Sequence, residues 1–153
     1  MRLIYFARVF FISFEFLALA ISVLLVKFFE SEANAITSAL AINEELTKFA
    51  MLLPITLFAW CANEGRDMIF SNQDHSKILV NWPDYWKLKH HIFASLLFSL
   101  IFCLLSIFPW LSKSGVSTGI GLILFSSGCF GSILVAAQIY SAKMSINEVM
   151  HSD

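Results

Sequence analysis

Four long apolar runs leave this chain few ways to fold. Residues 9–26, 92–111 and 116–140 each come near or exceed the roughly 20 residues that a helix needs to cross a bilayer, and a fourth run, 46–62, is slightly shorter. Backbone N–H and C=O groups inside hydrocarbon must be satisfied within the segment itself, so such runs read as helices. Only 14% of the 153 residues are charged, against roughly 25% in soluble domains, which excludes a core built in water. The expected fold is all-α: a polytopic membrane protein of one domain, residues 1–153, with four transmembrane helices and a cytoplasmic loop, 63–91, between helices 2 and 3.

The first run carries Arg2 and Arg8 ahead of it and Ala33-Asn34-Ala35 behind it, in the manner of a secretory signal. It is longer than the roughly 7 to 15 residues of a signal core and contains Glu15, so it is read as a retained, continuous span. Residues 30–45 hold four acids and no basic residue, and suit either a short interfacial helix or an outward extension of the second span. Pro54 falls inside that second span and predicts a kink near Leu53. Ser112-Lys113-Ser114-Gly115 makes spans three and four an antiparallel hairpin. The polar tail, 141–153, is expected to end as a frayed helix.

Orientation follows from Lys and Arg. With the N-terminus inside, Arg2, Arg8, Arg66, Lys77, Lys87, Lys89 and Lys143 lie on one side and Lys27, Lys48 and Lys113 on the other. Seven against three places both termini and the loop in the cytoplasm of a bacterial inner membrane. The net charge of −1 excludes nucleic acid, which requires a basic stripe. Cys61, Cys103 and Cys129 are scattered through apolar segments and read as packing residues.

Glu15 is the outstanding position. It lies seven residues, roughly 10 Å, beyond Arg8 along a helix, and equal depth in the other spans reaches Thr56, Ser99 and Ser132. These four residues are expected to form one polar layer. An ionised carboxylate in hydrocarbon costs several kcal/mol, so Glu15 must be neutral, hydrogen-bonded or facing water. It is either interhelical glue or part of an ion or proton path. Arg8 is a snorkelling interface residue or pairs with Glu64 or Asp67 at a cytoplasmic mouth.

The loop carries balanced charge and several aromatic residues. Arg66, Asp74, Lys77, Trp82, Asp84, Tyr85, Trp86, Lys87 and Lys89 are its candidate partner-binding residues, with Asn81 and Pro83 starting a helix that runs on into span three. His90 and His91 open that span as a weakly basic flank or a pH sensor; no histidine on another span matches them for haem, and no metal-ligand spacing is present. Gly128, Ser132 and Ala136 form a small-residue ridge, and Ser127 and Gly131 a second. These ridges pack on span one or two, or build a homo-oligomer.

No catalytic triad, paired carboxylate or phosphate loop appears, so the chain is expected to be no enzyme and to need no cofactor or metal. In size and layout it is similar to small four-span bacterial proteins that serve as bacteriocin immunity factors, holin-like or phage-exclusion proteins, and membrane subunits of anti-phage operons. That likeness is of architecture and carries no site residues. The expected function is a homo-oligomeric membrane protein whose loop docks a cytosolic partner, in a bacterial anti-phage or immunity setting. The alternative is an ion- or proton-conducting subunit that uses Glu15.

Overall fold

Helices follow the apolar runs but do not coincide with them. The computed structural model describes residues 2–40, 49–69, 85–112 and 115–151. Among these, α1 spans Arg2–Phe11, α2 Phe14–Phe28, α3 Glu30–Leu40, α4 Leu52–Ile69, α5 Tyr85–Leu111 and α6 Gly119–His151. The described residues contain no strand. At 27 and 33 residues, α5 and α6 are about 40 and 50 Å long, more than the ~30 Å of a bilayer core. These two are long and apolar enough to cross a membrane, and α1 with α2 adds a third crossing if the bent pair is one span.

The fourth expected crossing, at 46–62, is outside this count: residues 46–48 lie outside the described residues, and α4, which starts at Leu52, carries Glu64, Arg66 and Asp67 in its second half. Pro54 sits in the first turn of α4, where its missing N–H costs no helical bond; the break expected near Leu53 takes the form of a turn at Met51. The first span is also different. It is divided at Ile12 and Ser13, and its two halves meet at 48°. The tail does not stop as a separate piece, because α6 runs on to His151 with Ile146 buried against α4 and α5 residues of the core.

α5 and α6 form the antiparallel spine. A Cβ on Gly128 would lie 2.7 Å from the Phe102 carbonyl oxygen, and one on Gly131 would fall within the Phe102 ring. At Gly128 and Gly131 the small residues of α6 therefore meet α5 of the same chain, and Ser132 of the ridge is wholly buried. Between the two helices Gly115 takes φ 63° and donates its N–H to the Pro109 carbonyl at 3.0 Å, a left-handed stop for α5. Phe98, Phe102, Val135, Ile139 and Cys61 make the centre of the core.

Outward faces are apolar. Phe93, Leu97, Leu100, Leu104, Phe108 and Leu111 repeat at three- and four-residue steps along α5 and are all exposed, as lipid-facing residues would be. α3 lies across the start of α6: the Gly119 N–H donates to Asn34 Oδ1 at 2.6 Å and the Gly121 N–H to Thr118 Oγ1 at 3.1 Å. Residues 30–40 are thus a helix in their own right that caps α6 from a distance. The start of α1, the end of α6 and the facing ends of α4 and α5 gather at the opposite end, where the Tyr85 hydroxyl donates to the Ile69 carbonyl at 2.9 Å.

Two substitutions test this account. Gly128→Leu should destabilise the protein in detergent by about 3 kcal/mol, because the obstructing atoms are backbone. Asn34→Ala should cost about 1 kcal/mol, with faster hydrogen exchange at the Gly119 amide; unchanged exchange there would remove α3 as the cap.

Candidate functional site: a cavity at the broken first span

Ser13 makes the break. With φ −77° and ψ 152° it leaves the helical region, its Oγ accepts the Phe16 N–H at 3.1 Å, and its hydroxyl donates to the Phe10 carbonyl at 3.0 Å. One hydroxyl therefore satisfies an end of α1 and an end of α2. Serine is a favoured N-cap, and Ser13 with Glu15 two positions later in the first helical turn was the available signal. The continuous hydrophobicity on either side hid it. α1 leans on α5, its Phe10 ring stacked 4.3 Å from Phe98, whereas α2 packs chiefly on α6.

The bend delivers Glu15 to the interior. Its side chain is 3% exposed and accepts a hydrogen bond from Ser95 Oγ at 2.9 Å. Beside it opens a cavity of about 880 Å³ between α1, the start of α2, α5 and α6. Arg8, His91, Gln138 and Ser141 stand on its walls with Glu15 and Ser95, among apolar side chains such as Val9, Ile12 and Ile139. The Tyr5 hydroxyl lies 3.3 Å from His91 Nε2, and Tyr5 packs edge-on to Trp86 with centroids 4.8 Å apart. His91, expected as a flank or a pH sensor, is thus a wall of the same chamber as Glu15. Its partner His90 is turned away, its Nδ1–H donating to the Trp86 carbonyl at 2.6 Å.

The four-residue polar layer does not form as expected. Thr56 is exposed and donates to the Leu53 carbonyl at 2.9 Å; Ser132 is buried and donates to the Gly128 carbonyl at 2.8 Å. Both hydroxyls satisfy themselves on their own helix, an option always open to Ser and Thr. Ser99 is fully buried with no oxygen or nitrogen hydrogen-bond partner among the described residues. The hydroxyl that meets Glu15 is Ser95, one turn away, because counting equal depths presumed a straight first helix.

At the mouth, Glu64 pairs with Lys143 at 2.6 Å, linking α4 to α6. Arg8 instead lines the cavity, and Asp67 lies exposed near the end of α4. Of the candidate partner-binding residues, Arg66 is exposed on α4, while Tyr85 and Trp86 are half-buried. Lys87 and Lys89 stand over the Trp86 and Tyr85 rings at 5.9 and 4.5 Å from their centroids. Asp74, Lys77, Trp82 and Asp84, with the cap expected at Asn81 and Pro83, lie outside the described residues. No group of three or more His, Cys, Asp or Glu among the described residues is placed to hold a metal ion.

A charged, membrane-impermeant maleimide should modify Ser141→Cys, on the cavity wall, while Cys61 and Cys103 in the same sample stay unmodified, as read by peptide mass spectrometry. Protection of the cysteine at position 141 would mean that the chamber is closed to water. Comparison with known protein families, with characterised proteins and with solved structures finds no match for this chain, so the chemistry of the cavity alone carries its functional reading.

Proposed function

We propose that this chain is a non-enzymatic membrane protein that takes up a proton or small cation from the end where α1 begins and α6 finishes, with Glu15 as the group that carries it. The observation behind this reading is the position of Glu15: 3% exposed, at the break of a largely apolar helix pair, and on the wall of an 880 Å³ open chamber. A carboxyl in such surroundings is expensive to keep, and intramembrane acids mark ion and proton pathways. Broken helices are a recurrent way of building such sites, since they bring a helix terminus and free polar groups to membrane depth. With four crossings, the excess of Lys and Arg at the open end favours the cytoplasmic side of a bacterial inner membrane.

The docking of a cytosolic partner by residues 63–91 draws less support. Tyr85 and Trp86 spend their polar and aromatic groups inside the chain, and the ridge suited to self-association is covered by α5. A role in a bacterial immunity or anti-phage system is compatible with either mechanism.

Glu15→Gln separates carrier from glue. Glutamine keeps the shape and still accepts the Ser95 hydrogen bond, so a purely structural carboxyl would be replaced without loss. The expected outcome in proteoliposomes is a thermal stability close to that of the unmodified protein with ion or proton uptake reduced to background. Unchanged uptake would remove Glu15 from the function.

A further inference from the structure

α5 has a second face, opposite its exposed apolar one. Ser95, Ser99, Cys103, Ser106 and Trp110 recur at three- and four-residue steps and so share one stripe, about 22 Å long from first to last. It begins at Ser95, which bonds Glu15, and ends at the other end of the bundle. Ser99 and Ser106 are both 0% exposed. Gly128 of α6 lies against Ser106, and Cys61 of α4 brings a thiol, a weak partner, beside Ser99.

The two buried polar atoms that lack an oxygen or nitrogen hydrogen-bond partner among the described residues, Ser99 Oγ and Trp110 Nε1, are both on this stripe. A buried polar group left unsatisfied is destabilising, and native interiors resolve the cost with a bridging water wherever other polar groups are near. We infer that the species carried by Glu15 is a proton and that it moves along this stripe, on waters held at Ser99 and Trp110. This rests on the reading of Glu15 as carrier and adds to it the identity of the ion and the route.

A metal cation would need about six oxygen ligands at one depth, whereas the stripe offers roughly one polar group per turn. For a proton that is sufficient. The O–H bond of the Glu15 carboxyl breaks as one forms on the neighbouring oxygen. Each hydroxyl or water accepts on a lone pair and releases its own proton onward, so no electron is gained or lost and the chain is restored by reorientation. Tyr5, Arg8, His91, Ser95 and Gln138 are among the polar groups sharing the chamber with Glu15 from which the proton enters.

The test is proton flux into proteoliposomes under an imposed gradient, with a pH dye inside and a potassium-sensitive dye in parallel. Ser99→Ala and Ser106→Ala are compared with Ser126→Ala, an exposed position on α6, and with Glu15→Gln. The expected result is proton flux without potassium flux in the unmodified protein, loss of flux in the Ser99, Ser106 and Glu15 variants, and full flux for Ser126→Ala. Thermal unfolding supplies a second readout: Ser99→Ala should be no more stable than the parent, since it removes a bridged hydroxyl. A Ser99→Ala protein that melts higher and conducts as before would show an unpaired hydroxyl with no water, and the route would be wrong. If Glu15→Gln abolishes flux while both serine variants conduct, the carrier stands and the stripe falls. If all three conduct, or potassium passes, the carrier or the proton is wrong as well.

Discussion

The near-contact of the α5 and α6 backbones is the constraint on which the other elements depend. Phe102 can lie over α6 only because positions 128 and 131 have no side chain. In lipid there is no hydrophobic gain from bringing two apolar helices together, so close van der Waals packing between small residues has to supply the association. Once the two helices meet at this distance they enclose Ser99, Ser106 and Ser132 and leave Phe93, Leu97, Leu100 and Leu104 facing outward. The bundle consequently encloses several hydroxyls among its apolar core residues while the outer face of α5 stays apolar.

The remaining helices take their places from this spine. α3 completes the start of α6 through Asn34, and α4 is held to the other half of α6 by the Glu64 to Lys143 pair and to α5 at Gly65, whose missing side chain makes room for Leu96. The first span serves both helices of the spine and cannot do so straight. α1 follows α5 and α2 follows α6, and the 48° change of direction falls on Ser13, the residue whose hydroxyl satisfies backbone groups on both sides. Glu15 is buried because of that bend. Two positions into α2, it is turned toward Ser95 while the chamber opens beside it.

Much of this was legible in the residues. Apolar runs at 9–26, 92–111 and 116–140 announced helices, the small residues of α6 announced a close neighbour, and Glu15 stood out as the one acid within an apolar run. The neighbour of the ridge was not legible, because four-residue spacing says that a helix will approach and not which one. The partner of Glu15 was missed by one turn, since depth along a helix can be counted from sequence only while the helix stays straight. His91 was read as a flank or a pH sensor because nothing in its local pattern shows that Tyr5 and Glu15 will surround the same space.

By itself the amino-acid order determined that the chain is helical, that long stretches of it belong in lipid, and which few polar side chains would be costly there. Those properties are local: they depend on hydrogen bonding within a segment and on the transfer of each side chain, and both are written residue by residue. The pairing of α5 with α6, the bend at Ser13 and the chamber around Glu15 were decided only by the tertiary structure. Each results from competition among surfaces far apart in the chain, and the outcome depends on which backbones can come close enough to touch.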